Sequence, residues 1–247
     1  HSLEQKKARQ REGVFVAEGT KIVSELLLAG FHPQCLIGTE EWFDTMQKSH
    51  SNDAEHILVS EEELRKASFL QHPQRVMGIF STPQSNSLPA PEWFASNLCL
   101  VLDGVQDPGN LGTIIRIADW FGIATIICSR ETADAFAPKV VQATMGAISR
   151  VKVHYCDLET LFETYSNQPV WGTFLDGENI YRSELENRGF VVFGNEGQGI
   201  GAKVAKHVDK RLLIPSYSES ETSESLNVGV AAAIVVSEFR RTALKAK

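Results

Sequence analysis

Apolar and polar residues alternate along this chain in two rhythms, separated by a polar, proline-containing stretch at residues 82–91. Ahead of the break the apolar runs are short. Residues 3–11 have the spacing of a basic helix, residues 14–16 that of a short strand, and Gly19 opens a helix that stops near Ala29–Gly30. Residues 35–38 and 56–59 read as strands on either side of a helix over 40–48. Ser60 with Glu63 forms a capping box at the head of a helix to Ala67, and residues 76–81 read as a further strand. This gives a small α/β domain over residues 1–82. Residues 83–96 are expected to link it to the rest, because three prolines in 82–91 leave few positions able to pack.

Beyond the break the rhythm is regular. Apolar strands are expected at 98–103, 124–128, 151–155, 170–175 and 190–195, with a short one at 212–214. Helices are expected over 111–121, 139–147 and 158–165, and a long final one begins at Ser225 to Asn227. Strands that are apolar at consecutive positions are buried on both faces, which predicts an α/β domain over residues 97–247 built on a parallel sheet. Such sheets bind ligands outside the carboxyl ends of their strands. The three most unusual loops, 104–110, 194–201 and 215–225, all follow strands. The final helix, apolar on nearly every side over 226–239, needs cover from its own domain or from a second subunit.

Composition narrows the classes. With 43% hydrophobic and 22% charged residues among 247, the chain has material for a sizeable core. A net charge of −7 disfavours a general nucleic-acid coat protein but leaves room for a local basic patch. Four scattered cysteines without a Cys-x-x-Cys pair, and seven histidines without ligand spacing, predict no disulfide framework and no metal site. No apolar run is long enough to span a bilayer and no signal-peptide pattern is present, so a cytoplasmic protein is expected.

Each loop has a plain reading beside a chemical one. In GVQDPGN, Pro-Gly fixes a turn and Asn110 is placed to cap the helix that carries Arg116. Arg116 lies off the apolar face of that helix, so it is either an exposed partner of Asp119 or a functional cation. GNEGQGIG (194–201) has four glycines in eight residues, which lets backbone approach a ligand and places Glu196 beside it. It is neither a phosphate loop nor the dinucleotide fingerprint, which disfavours a nucleotide-dependent oxidoreductase. Ser225 and Asn227 are capping residue types, and the acidic stretch between 216 and 224 is a solvated loop. Near the start, Lys6, Lys7, Arg9 and Arg11 form either a solvated helix face or a phosphate-contacting edge.

Taken together, VQDPGNLGTIIRIADWFGI (105–123), VVFGNEGQGI (191–200), and LLIP (212–215) with SLNVGVAAAIVVSEF (225–239) resemble the motifs of the SpoU family, the TrmH-like branch of the SPOUT methyltransferases. Residues 6–28 resemble the opening of the small RNA-binding domain found ahead of many such enzymes. The resemblance implies a deep trefoil knot in the C-terminal domain, a homodimer, and S-adenosylmethionine as cofactor. It implies methyl transfer to a ribose 2′-hydroxyl of RNA, with rRNA favoured over tRNA because of the N-terminal domain. A non-catalytic RNA- or ribosome-binding protein on the same fold is the alternative. By motif, Asn110, Arg116, Glu196, Ser225 and Asn227 match the functional polar set. The cofactor pocket would be Thr173, Gly194, Asn195, Glu196, Gly197, Ile214, Ser225 and Leu226. RNA would meet Lys6, Lys7, Arg9, Arg11 and Arg116. A guanidinium stays cationic at neutral pH, so Arg116 is expected to grip RNA and stabilise developing alkoxide charge rather than act as a base. This chain departs from the family in its longer, acidic link over 216–224.

Overall fold

The computed structural model describes residues 2–46, 54–83, 87–218, 220 and 224–245. They fall into two units, His1–Ser85 with Asp134–Arg150, and Asn86–Ala133 with Val151–Lys247.

The first unit is a four-stranded mixed sheet in the order β1 (Val14–Glu18), β4 (Val76–Ser81), β2 (Pro33–Gly38) and β3 (Glu55–Leu58). β1 and β2 run antiparallel to β4, while β2 and β3 are parallel. Helices α1 (Lys6–Glu12), α2 (Thr20–Leu28), α3 (Glu40–Thr45) and α4 (Glu61–Ala67) follow the expected order. The end expected for α3 falls at residues 47 and 48, which lie outside the described residues. The capping box forms as read: Glu63 N donates to Ser60 Oγ at 3.3 Å, and Ser60 N donates to Glu63 Oε2 at 2.9 Å. Helix α7 (Pro138–Thr144) belongs to this unit, although its sequence sits within the later, regular alternation. The reason is a hydrophobic contact: Phe136 packs on Phe15 of the fully buried β1, with ring centroids 4.8 Å apart.

The second unit is a six-stranded sheet ordered β10 (Lys210–Leu213), β8 (Val170–Asn179), β9 (Gly189–Gly194), β5 (Leu98–Asp103), β6 (Thr125–Cys128) and β7 (Lys152–Tyr155). Every neighbouring pair is parallel, as the continuous apolar runs predict. Alternate residues serve opposite faces. Cys99, Val101, Ile127, Phe190 and Val192 pack with Phe94, Leu158 and Phe162 on one side. On the other, Phe239 meets Trp171 edge-on at 5.4 Å. Helix α5 (Pro91–Phe94) forms inside the stretch expected to be linker. Phe94 is fully buried there, which is worth ~2 kcal/mol and anchors the stretch to this unit.

The remaining helices are α6 (Pro108–Trp120), α8 (Leu158–Thr164), α9 (Ala202–Ala205) and α10 (Val228–Lys245). α10 begins later than its sequence suggests, with Ser225 and Leu226 ahead of it. It is also not covered all round within the chain. Val228, Ala232, Val235, Val236 and Phe239 are buried, but Val230 is 50% exposed. Among the described residues no helix is long and apolar enough to cross a membrane, and no group of His, Cys, Asp or Glu gathers to hold a metal.

Candidate active site at the strand ends

Two loops leave the carboxyl ends of the paired strands β5 and β9 and are stitched together at once. Gly201 N donates to Asp103 Oδ2 at 2.8 Å, and Asn195 Nδ2 donates to Gly104 O at 2.7 Å. Asn195 also organises its own turn. Its Oδ1 accepts from Gly197 N at 2.9 Å and from Gln198 N at 3.0 Å, and its backbone bridges Gly199. The turn closes so tightly that a Cβ at Gly194 would lie 2.1 Å from the carbonyl carbon of Gly199, which itself has φ +68°. Those two glycines are required by the backbone path.

Helix α6 starts one residue after its cap. Asp107, not Asn110, is that cap: Asn110 N donates to Asp107 Oδ1 at 2.8 Å, and Pro108 takes the first helical position. The expectation that Asn110 caps the helix is therefore corrected, and its amide is free for other work. Asn110 Nδ2 donates to Glu196 Oε1 at 3.0 Å, and Asn110 Oδ1 accepts from Asn227 Nδ2 at 2.8 Å. Asn227 is the residue that caps α10, its Oδ1 accepting from Gly229 N at 2.9 Å and Val230 N at 3.2 Å. One chain of side-chain hydrogen bonds thus joins all three loops through Glu196, Asn110 and Asn227.

Glu196 is the anionic end of that chain. Besides Asn110 it accepts from the amides of Asp107 at 3.3 Å and Gln106 at 3.4 Å. Partial desolvation pushes its carboxyl upward, but the hydrogen bonds from Asn110 and the backbone outweigh it and hold the group below the usual carboxylate range. Gln106 and Asp107 were not singled out by sequence as site residues. Their signal was available, since an Asp-Pro pair before a helix is a cap and first-turn pair.

Arg116 lies on the exposed side of α6, six residues beyond Asn110. Its guanidinium makes no hydrogen bond or ion pair among the described residues, so the surface pair with Asp119 does not form. Trp120, one turn further on, is 85% exposed. Thr173, in β8, donates its hydroxyl to Val192 O at 3.2 Å and lies beside β9. Ile214 is half-buried at the end of β10, and Ser225 and Leu226 are exposed just ahead of Asn227, Leu226 by 49%.

The basic set lies in the first unit and divides. Lys6, Lys7 and Arg11 are exposed, Arg11 in a surface pair with Glu12 at 2.8 Å. Arg9 corrects the expectation of an RNA contact. It is 4% exposed, pairs with Asp134 at 2.5 Å, and donates to the carbonyls of Leu3 and Glu4. Helical periodicity turns it inward beside Ala8, and the ion pair makes that burial tolerable.

The residues at the strand ends suit an adenosyl group. Such a ligand needs apolar contact and a few fixed polar groups. Leu226 and Ile214 leave apolar surface uncovered, and a Cβ at Gly199 would meet no atom within 4 Å. Space beside Gly199 in the glycine turn is thus open.

Comparison with known proteins matches two stretches of the chain. Residues 97–237 match the model of the SpoU rRNA Methylase family, and residues 1–78 match the MRM3-like substrate binding domain. The 23S rRNA (guanosine(2553)-2′-O)-methyltransferase RlmP of Bacillus subtilis is 30% identical over 242 residues, covering 96% of this chain and 93% of that protein. A solved TrmH-family protein from Porphyromonas gingivalis superposes with a TM-score of 0.87 at 40% identity, covering 97% of this chain and 94% of the other. The AdoMet-bound rRNA methyltransferase of Sinorhizobium meliloti gives a TM-score of 0.83 at 30% identity, over 97% and 92% of the two chains.

Proposed function

The chain belongs to the SpoU rRNA Methylase family, and we propose that it methylates a ribose 2′-hydroxyl of ribosomal RNA in the cytoplasm, working as a homodimer with a knotted C-terminal domain. It is an S-adenosylmethionine-dependent RNA methyltransferase. The observation that carries the site assignment is the Glu196–Asn110–Asn227 hydrogen-bond chain, because it holds three strand-end loops around one place.

Bound S-adenosylmethionine supplies a methyl group already activated on a sulfonium, so the work left to the protein is alignment. Ile214, Leu226 and the backbone of residues 194–197 would hold the adenosyl part, with Thr173 and Ser225 as further contacts. Asn110 is oriented from both sides, by the Glu196 carboxylate and by the Asn227 amide. It presents its remaining N–H toward the ribose. Arg116, which has no partner to give up among the described residues, grips the RNA phosphate and ribose. Its planar fork stabilises charge on the hydroxyl oxygen as the proton leaves to water. Glu196 is ionised at neutral pH and acts by positioning Asn110 and the 104–110 loop.

RNA is captured by the first unit, where Lys6, Lys7 and Arg11 are exposed cations. The knot reading is supported by the strand order, in which β9 lies between β8 and β5 and the chain returns to the outer edge as β10. The homodimer reading rests on uncovered apolar surface: Val230 and Trp120 are 50% and 85% exposed. Methyl transfer from tritiated S-adenosylmethionine to unmodified rRNA transcripts, with 2′-O-methyl mapping of the product, tests the function. Calorimetry that detects no cofactor binding at millimolar concentration, with no label in rRNA, would establish a non-catalytic RNA-binding protein instead.

A further inference from the structure

The first unit contains a cavity of about 390 Å³, lined by Thr20, Glu61, Leu64, Arg65, Pro73, Gln74 and Arg75. None of these belongs to the basic helix at the start of the chain. Its wall is held by backbone. Gly19 N donates to Val76 O at 2.9 Å, and Thr39 N donates to Arg75 O at 3.0 Å, so residues 75 and 76 are pinned from two sides. The floor is apolar, with Leu64 buried in the core beside Val16 and Met77. Gln74 leans over Gly19, where a Cβ would come within 2.7 Å of its Oε1.

The polar groups around this cavity are open to a ligand. The side chains of Gln74 and Arg65 make no hydrogen bond or ion pair among the described residues. Arg75 bonds Glu41 at 2.6 Å, but both partners are more than half exposed, and such surface pairs are worth little and exchange readily. Two guanidinium groups, one amide with both donor and acceptor, one carboxylate and one hydroxyl stand over an apolar floor. A bare inorganic anion would be repelled by Glu61 and would leave the half-buried Pro73 ring uncovered. A nucleotide suits this set, since its phosphate takes the cations, its ring packs on Pro73, and its amino or amide edge meets the Gln and Glu.

Resting on the reading that this protein acts on RNA, we propose that the cavity seats one unstacked nucleotide of the substrate, with Arg65 and Arg75 on its phosphate and Gln74 and Glu61 on its base edge. Single-stranded RNA is commonly recognised by splayed bases in just such slots. The test uses the full-length chain, fluorescence anisotropy, and labelled 12-nucleotide RNAs (oligo-A, oligo-C, oligo-U and a mixed sequence) across a salt series. Arg65→Gln should weaken binding about five- to twentyfold and lower the salt slope by about 0.7, the share of one phosphate contact on a single strand. Gln74→Ala should leave the salt slope intact and flatten preference among the sequences. Affinity for S-adenosylmethionine, read by calorimetry, should not change in either variant.

Variants that bind every RNA within twofold of wild type, with unchanged slopes and preferences, overturn the proposal. So does a wild-type chain that methylates rRNA yet binds none of the oligonucleotides, which leaves the methyltransferase reading standing. The converse, Arg65-dependent RNA binding without methyl transfer, would keep the nucleotide seat and remove the enzyme.

Discussion

Glu196→Gln is the sharpest test of how the site is held. The substitution keeps shape and removes charge, so its effect isolates the charge-assisted part of three hydrogen bonds. Only the one from Asn110, at 3.0 Å, has good length; those from Asp107 and Gln106 at 3.3 and 3.4 Å are long. A hydrogen bond to a charged group contributes ~1.5–3 kcal/mol and a neutral one ~0.5–1.5, so the Asn110 bond loses about 1 kcal/mol. The glutamine amide also faces one backbone donor with its own N–H, while exposure of the site screens part of the loss. A net cost of about 1 kcal/mol is expected, or about 2–4 °C in melting temperature for a chain of this size. If Asn110 needs that orientation to meet the ribose, single-turnover methyl transfer should fall about five- to tenfold while cofactor affinity stays within a factor of about two.

The pH dependence has a definite sign. Glu196 is held below the usual carboxylate range, so its stabilisation is complete above the unfolded value, about 4.3, and is lost as pH falls through the lower folded value. The difference in melting temperature between wild type and Glu196→Gln should therefore persist from pH 8 to 5 and close at more acid pH. Full single-turnover rates in the variant at pH 7 would refute the positioning role, and a stability gap that widens toward acid would refute the electrostatic account.

Three further outcomes follow. Arg116→Lys should leave melting unchanged, because the side chain has no described partner, and should cut the methyl-transfer rate about 10²-fold through loss of the planar fork; near wild-type turnover would sink its assigned role. Asn227→Ala removes the cap of α10 and the bond to Asn110, so denaturant titration should show a loss of about 1–2 kcal/mol together with reduced turnover. Arg9→Ala strands Asp134 and should cost about 3 kcal/mol in chemical denaturation while calorimetric affinity for S-adenosylmethionine is preserved, since Arg9 serves the first unit's core.

The parts of this protein that its sequence determined are those governed by neighbours in the chain. Ser60 and Glu63 sit three apart, so their box forms wherever that helix goes. Leu98 to Leu102 is apolar at successive positions because both faces of β5 are covered, and such runs alternating with helices implied a parallel sheet. The strand-end loops were likewise legible from their unusual composition after apolar strands, and motif resemblance then assigned candidate chemistry to their side chains.

What only the tertiary structure decided involves partners far apart in sequence. Asn110 meets Glu196 across 86 residues and Asn227 across 117, and those contacts exist because β9 lies beside β5 and α10 lies against α6. Sequence reading gave the cap of α6 to Asn110, whereas Asp107 takes it and the Asn110 side chain bonds to partners on other loops. Arg9 looked like its basic neighbours until Asp134 arrived from a segment 125 residues away to neutralise it. Helix α7 joined the first unit because Phe136 found Phe15 there. Periodicity records whether a position is inside or outside; it carries no record of which distant segment supplies the other side of the contact.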